Sequence, residues 1–256
     1  MTTQTSPSHE WHNKTVWVTG ANQGIGAATA DKFLALGANV IGFDQRFDQN
    51  NSQMTQIILD ISNEQAVKET CQSLLTSEKN IDALVNVAGI LQMGKITELT
   101  SAQWQRTFDV NVSGAFYVMQ QAIPVMKASN NGAIVSVSSN ATHMPRISMA
   151  AYSASKSALT NLTLVAGIEL AEYGIRCNVV SPGSTQTPMQ WSLWQDDTGE
   201  ANTINGFPDQ FKPGIPLRKL ATPADIAETI VFLCSSKANH ITLQDIVIDG
   251  GATLGK

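Results

Sequence analysis

The chain has 256 residues, 43% of them hydrophobic and 14% charged. That is enough for one α/β domain with a full core, and it excludes a disordered chain. Its formal net charge of -5 argues against nucleic acid or an anionic membrane as a partner.

Residues 1–13 are polar, with no basic stretch followed by an apolar one, and are expected to form a flexible tail before a single domain over 14–256. A short apolar strand at 15–18 runs into Thr19-Gly20-Ala21-Asn22-Gln23-Gly24-Ile25-Gly26, and a helix at 27–36 ends at Gly37. Strand, glycine turn and helix make a phosphate cradle: the glycines admit a pyrophosphate close to the backbone, and the helix N-terminus faces it with free N–H groups. A second strand at 39–43 delivers Asp44, 18 residues past Gly26. A carboxylate there accepts from a ribose 2′-hydroxyl and repels a 2′-phosphate, which favours NAD over NADP; Arg46, two residues on, is the group that could hold a phosphate instead.

A third strand at 56–59 ends in Asp60, and Ser62 is the expected N-cap of a helix over 63–77. A fourth strand at 83–85 leads into Asn86-Val87-Ala88-Gly89. One long helix is expected over 101–128, with an apolar stripe of Trp104, Phe108, Val112, Ala115 and Phe116. Asn111 falls on or beside that stripe, and a buried amide must be satisfied, so it has either a structural or a catalytic task. The fifth strand, 132–137, ends at Ser138-Ser139-Asn140. A loop through His143, Pro145 and Arg146 follows, then a helix over about 151–172 that carries Tyr152 and Lys156. A sixth strand at 175–180 precedes Ser181-Pro182-Gly183-Ser184-Thr185. The segment 188–213 has no core period, though it holds Trp191, Trp194 and Phe207, and is expected to be a mobile cover over a site. A helix at 223–235 and a strand at 245–248 close the domain.

Alternating helices and continuous apolar strands predict a three-layer Rossmann fold, a doubly wound seven-stranded parallel sheet with helices on both faces. The polar groups singled out fall at strand C-terminal ends, where such sheets bind ligands. Cys71, Cys177 and Cys234 have no metal-ligand spacing and make no disulfide framework; they read as buried fillers in a protein of the reducing cytoplasm, and no metal is expected. No apolar run is long enough to cross a bilayer.

Tyr152 and Lys156 lie four apart, on one helix face. A free phenol titrates near ~10, so reaching about 7 takes roughly 4 kcal/mol of preference for the phenolate. A unit charge ~4 Å away at an effective dielectric of about 20 supplies a similar amount. One lysine at this spacing can therefore make a tyrosine a usable acid or base.

Together, the Thr19 to Gly26 turn, Asn86-Val87-Ala88-Gly89, Asn111, Ser139, Tyr152, Lys156 and Pro182-Gly183 resemble the short-chain dehydrogenase/reductase family along essentially the whole chain. Val87 departs from the family's usual second asparagine. The resemblance implies Tyr152 as acid/base, Lys156 lowering its pKa and holding the nicotinamide ribose, Ser139 ahead of Ser138 holding the reacting oxygen, and Asn111 supporting a proton relay. It places Gly20, Asn22, Gln23, Gly24, Ile25, Gly26, Asp44, Asp60, Asn86, Ala88, Gly89, Pro182, Gly183 and Thr185 at the cofactor, NAD.

A narrower resemblance rests on His143-Met144-Pro145-Arg146-Ile147, Ser181 to Thr185, Met189-Gln190, Leu193-Trp194 and His240 to Asp245. It is to the dehydrogenases that aromatise a cyclic dihydrodiol acid to a catechol acid for siderophores of the enterobactin or vibriobactin kind. A carboxylate substrate calls for a forked cation, for which Arg146 is the first candidate and His143 the second. Gln92, Met93, Met189 and Trp194 are placed as pocket residues by position alone. A homotetramer is implied by the family, with Ala154, Ser157 and Ala158 suited to close helix approach, and the enzyme that adenylates the product is a transient partner by analogy. The alternatives are another secondary alcohol or 3-oxoacyl substrate on the same scaffold, and a non-catalytic nucleotide sensor.

Overall fold

Every residue of the strand Thr15–Thr19 is buried, and its neighbours alternate between two cores. Val16 and Val18 join one apolar cluster while Trp17 joins the other, as the period of two requires. In this computed structural model, which describes residues 10–77 and 80–255, that strand is β1. It is followed by α1 (Gly24–Ala35), β2 (Asn39–Asp44), β3 (Thr55–Ile58), α2 (Glu64–Ser77), β4 (Ala83–Asn86), α3 (Ser101–Phe108), α4 (Ala115–Ser129), β5 (Gly132–Val137), α5 (Ala150–Leu170) and β6 (Ile175–Pro182). Then come α6 (Pro188–Trp191), α7 (Gly199–Asn205), β7 (Gly206–Phe207), β8 (Lys212–Pro213), α8 (Pro223–Cys234) and β9 (Asp245–Ile248).

The seven long strands form one sheet in the order β3-β2-β1-β4-β5-β6-β9, parallel at every pairing. Phe33 of α1 and Ile226, Ile230 and Leu233 of α8 cover one face. Val67 and Cys71 of α2, Val118, Ala122 and Met126 of α4, and Ala166 and Leu170 of α5 cover the other. This is the three-layer Rossmann arrangement expected. The strand order reverses between β1 and β4, which opens a crevice beyond their C-terminal ends. The three thiols are free and buried. Among the described residues no helix is long and apolar enough to cross a membrane.

Three local expectations are corrected. The tail boundary moves, because Trp11 is only 5% exposed and packs edge-on to Phe33 at 4.7 Å; the rest of the expected tail, residues 1–9, lies outside the described residues. Helix α2 is capped by Asn63, whose side chain accepts from the Ala66 N–H at 3.0 Å, while Ser62 turns to Asp60. The expected long helix is interrupted by a π-turn, Asp109–Gly114. Its core face is Thr107, Val110, Asn111, Gly114 and Ala115, so the proposed stripe is rotated outward, with Trp104 42% and Phe116 40% exposed. Small residues face inward because a Cβ on Gly114 would sit 2.7 Å from Ile61. The segment 188–213, expected as a cover, holds α6, α7 and the antiparallel pair β7–β8.

Candidate functional site

A cleft of about 480 Å³ opens at the C-terminal edge of the sheet. Its floor is the turn after β1. Gly20 has φ +71° and Gly24 φ +57°. A Cβ on Gly20 would lie 2.8 Å from the Ala88 backbone, and one on Gly26 would lie 1.9 Å from the Gly20 carbonyl. Thr19 Oγ1 accepts from the Val87 and Ala88 N–H groups at 3.1 and 3.2 Å, tying the turn to the end of β4. Gln23, the N-cap of α1, makes no side-chain cap hydrogen bond. The first-turn N–H groups of α1 are thus left for a ligand, and this cradle fits the pyrophosphate of a dinucleotide.

Asn22, Gln23, Gly24, Ile25, Asp44, Ala88, Gly89, Pro182, Gly183 and Thr185 all line the cleft. Asp44 Oδ2 accepts from the Asn22 N–H at 3.0 Å. Arg46 also reaches the cleft but pairs with Asp48 at 3.4 Å on the surface, a weak contact. Two residues expected at the cofactor do not face it. Asp60 is turned to the Ser62 hydroxyl at 2.6 Å and to Arg106 at 3.2 Å, while its neighbours Leu59 and Ile61 line the cleft. The carboxyl of Asp60 is held below its usual value, since these bonds outweigh its desolvation. Asn86 is buried inside β4 and donates to Ser136 Oγ at 3.3 Å; the residues after it, Val87 to Gly89, reach the cleft instead.

At the opposite end, Ser139, Tyr152 and Lys156 converge. Burial raises the Tyr152 phenol above its ordinary value, and a hydrogen bond with the Ser139 side chain partly opposes that rise. Ser139 Oγ also accepts from the Ala141 N–H at 3.1 Å. Ser138, the other candidate, is engaged behind the site: its hydroxyl donates to the Lys156 carbonyl at 3.2 Å and accepts from Thr160 at 2.8 Å. Lys156 Nζ donates to the Val137 carbonyl at 2.8 Å and lies 6.0 Å from the Tyr152 ring centroid. Burial brings the ammonium down to about 8. The expected lowering of Tyr152 by Lys156 is therefore corrected for the free protein: desolvation outweighs an ammonium that is aimed at a carbonyl.

Asn111 rides on the π-turn, fully buried. Its Oδ1 accepts from the Ile90 N–H at 2.8 Å, and its Nδ2 donates to the Ile90 carbonyl and to Ser155 Oγ at 3.0 and 2.9 Å. Gly89 lets the chain pass close to both groups: a Cβ there would lie 3.1 Å from Lys156 Nζ and 3.2 Å from Asn111 Oδ1, so they would have to shift by a few tenths of an ångström. Two hydroxyls and an ammonium around one cavity wall can hold an oxygen and move its proton.

Of the residues expected at the substrate, Arg146 and Met189 line the cleft. Arg146 Nη1 is buried and has no hydrogen-bond partner; burial lowers the guanidinium pKa and the nearby Asp249 raises it. His143 is corrected to a pin for the loop: its Nε2 lies 2.9 Å from Asp245 Oδ2, and Ser181 donates to the other oxygen of that carboxylate. Gln92 donates to the Met93 carbonyl at 2.9 Å, and the chain instead presents Ile90 and Leu91 to the cleft. Trp194 packs inside the cover, where its Nε1 donates to Thr203 Oγ1 at 3.2 Å and its ring occupies the space a side chain at Gly199 would need. Missed by the sequence reading were Met149, Gln190, Leu193 and Lys212, all lining the cleft. Gln190 and Leu193 follow Met189 within one helical turn, which is a usable signal; Lys212 offers none.

A family model described as enoyl-(acyl carrier protein) reductase matches residues 20–253. The chain is 53% identical to 2,3-dihydro-2,3-dihydroxybenzoate dehydrogenase of Escherichia coli, across 96% of this chain and 99% of that protein. It is 43% identical to the vibriobactin-specific 2,3-dihydro-2,3-dihydroxybenzoate dehydrogenase of Vibrio cholerae, across 94% and 97%. Among solved structures, ligand-free aldohexose dehydrogenase of Thermoplasma acidophilum superposes with a TM-score of 0.87 at 30% identity, covering 95% of each chain. A glycine cradle and a serine–tyrosine–lysine wall share one sheet edge, and the likeness runs nearly end to end: the chain belongs to the short-chain dehydrogenase/reductase family.

Proposed function

We propose that this enzyme oxidises 2,3-dihydro-2,3-dihydroxybenzoate to 2,3-dihydroxybenzoate with NAD, on the way to a catecholate siderophore. The observation that carries the reading is an unpartnered, buried guanidinium nitrogen of Arg146 in the same cleft as Ser139 and Tyr152. A ring acid offers a carboxylate to the first and a hydroxyl to the other two. The names of the relatives at 53% and 43% identity support the same substrate.

When bound, the oxidised dinucleotide supplies a hydride acceptor and a positively charged ring. Tyr152, as phenolate, takes the proton of one ring hydroxyl while Ser139 holds that oxygen. Lys156 stays protonated at pH 7, since its ammonium titrates near 8, and together with the Ser139 hydroxyl it favours the phenolate against burial. Asn111 fixes the Ile90 strand end beside Lys156 and supports the proton's exit. Tyr152 would take the carbinol proton while a bound coenzyme would serve as acceptor for the hydride, and the ring ketone so formed would enolise to the catechol. Asp44 selects NAD by accepting from the adenosine ribose: its Oδ2 accepts from the Asn22 N–H, and its Oδ1 makes no hydrogen bond among the described residues. The protein works in the cytoplasm as a homotetramer; the outward apolar side chains Phe116, Val165 and Ile168 give α4 and α5 faces to pair. A sedimentation mass of one chain would overturn that assembly. Transient contact with the product-adenylating enzyme rests on chemistry alone, since the product is that enzyme's substrate.

The test is to mix purified protein, NAD and the dihydrodiol acid, and to follow NADH absorbance and catechol fluorescence together. Both signals are expected to rise in step, and NADP to support little turnover. Turnover of a neutral secondary alcohol or a 3-oxoacyl compound, with neither signal from the acid, overturns the substrate and leaves the family standing.

A further inference from the structure

Besides Lys156 and Arg146, the cleft holds a third cation at its substrate end. Lys212, on β8 of the cover, lines it together with Arg146. Among the described residues, the only carboxylate lining the cleft is Asp44, which belongs to the cofactor end. Asp249 stands behind Arg146 but is occupied, accepting from Asn140 at 3.2 Å and from the Gly251 and Thr253 N–H groups at 2.9 Å each.

A lysine on a cover would ordinarily snorkel to water. Lys212 is instead partly buried, makes no hydrogen bond or ion pair among the described residues, and lies over the Phe207 ring, 5.2 Å from its centroid. Burial lowers its ammonium to about 8, and repulsion from Arg146 adds to the lowering. Two cations repelling each other across one cavity, with only Arg146 near a counter-charge, Asp249, are unfavourable until an anion sits between them. The ladder that holds Lys212 there is tight: Gly206 has φ +87°, and a Cβ on it would lie 2.5 Å from the Gly214 nitrogen.

We propose that Lys212 is a specificity-determining residue: its ammonium, carried on the cover, and the Arg146 guanidinium, on the fixed loop after β5, together hold the substrate's carboxylate. The inference rests on the acid substrate proposed above and deepens it. It makes the cover a part of acid recognition, because one of the two cations arrives only with β8 in place.

The test compares 2,3-dihydroxybenzoate with its neutral isostere 2,3-dihydroxybenzamide, by calorimetry, on the wild type, Lys212→Gln and Lys212→Arg. Loss of one charge-assisted contact should weaken acid binding roughly 10- to 100-fold in Lys212→Gln, leave the amide within about twofold, and be largely restored in Lys212→Arg. Equal losses for acid and amide would mean that Lys212 only supports the cover, and no loss would mean that it does nothing there; either overturns the proposal. Turnover of the dihydrodiol acid separates this inference from the one beneath it. Lys212-dependent acid binding without such turnover removes the named substrate and keeps the anion site. Turnover with an acid-to-amide ratio indifferent to Lys212 removes the anion site alone.

Discussion

The two halves of the cleft are built differently. The sheet edge places Ser139 at the end of β5, Tyr152 and Lys156 one turn apart on α5, and Asp44 at the end of β2. Each position follows from a repeat of the backbone, and each is backed by a buried core. The cover places Met189 from a four-residue helix, Leu193 from the turn after it and Lys212 from a two-residue strand, held by contacts such as Trp194 on Gly199. Chemistry therefore sits on elements that cannot move without unfolding the domain. On the proposed function, discrimination between substrates falls to a segment of short elements, the kind that opens locally at lower cost than a core.

If that division holds, the largest loss comes from the sheet edge and appears in kcat alone. Tyr152→Phe should lower kcat by roughly 10³-fold, within the range for removing a general acid–base group. NADH binding, measured by fluorescence, should stay within about twofold. A comparable loss in coenzyme affinity would mean that the phenol organises the cradle as well, and the two halves could not be separated. Next comes Asp44→Ser, for which turnover with NAD should fall roughly 10- to 100-fold, the cost of a charge-assisted hydrogen bond. Turnover with NADP should rise. An unchanged NAD-to-NADP ratio would move cofactor choice to Arg46.

A smaller effect probes the cover through pH. Lys212 titrates near 8 in the free protein, below an ordinary lysine. Its attraction for a carboxylate is complete below that value and fades as pH rises through it. Affinity for 2,3-dihydroxybenzoate should fall about tenfold between pH 7 and 9.5. Around the bound acid, Lys156 titrates near 8 as well, Arg146 stays charged, Tyr152 is raised, and Asp249 lies behind Arg146. The share due to Lys212 is thus the part of the fall that disappears in Lys212→Gln. If nothing disappears, the pH effect belongs to the sheet edge.

The same division decides what could be read from the sequence. The central strands β1, β4 and β5 were legible because both their faces are buried, which makes them largely apolar runs; the edge strand β3 is partly exposed. Tyr152 and Lys156 were legible because helical spacing fixes their shared face. Asn111 was visible as an amide in an apolar stripe, but the π-turn beneath it was not, because an extra residue in one turn is imposed by packing against Ile61 and Ser155. Trp11 hid among polar neighbours, since its partner Phe33 is brought to it only by the fold. His143, Gln92, Met93 and Trp194 were placed in the pocket by position alone. The structure turns His143, Gln92 and Trp194 toward local partners instead, and leaves Met93 exposed outside the cleft lining, because polar loop side chains follow their nearest unsatisfied groups, which no periodicity reports. Lys212 was one lysine in a stretch without a period, and only burial beside a second cation gives it meaning.

The smallest effect is expected from Trp194→Ala, and it examines the cover most directly. Trp194 fills the space over Gly199 and bonds Thr203, so its loss removes most of what joins α6 to α7. Burial of an aromatic contributes up to a few kcal/mol, but this one stabilises a segment that opens locally. The global melting temperature should therefore shift by no more than about 2 °C, while the fraction of molecules with the cover seated falls. Apparent affinity scales with that fraction, so KM for the dihydrodiol acid should rise about 3- to 10-fold with kcat within about twofold. Limited proteolysis should cut first between residues 188 and 213, and product should protect against it. A melting temperature lowered in proportion to KM would show that the cover and the domain unfold as one, and the distinction between a rigid chemical edge and a separable recognition segment would be lost.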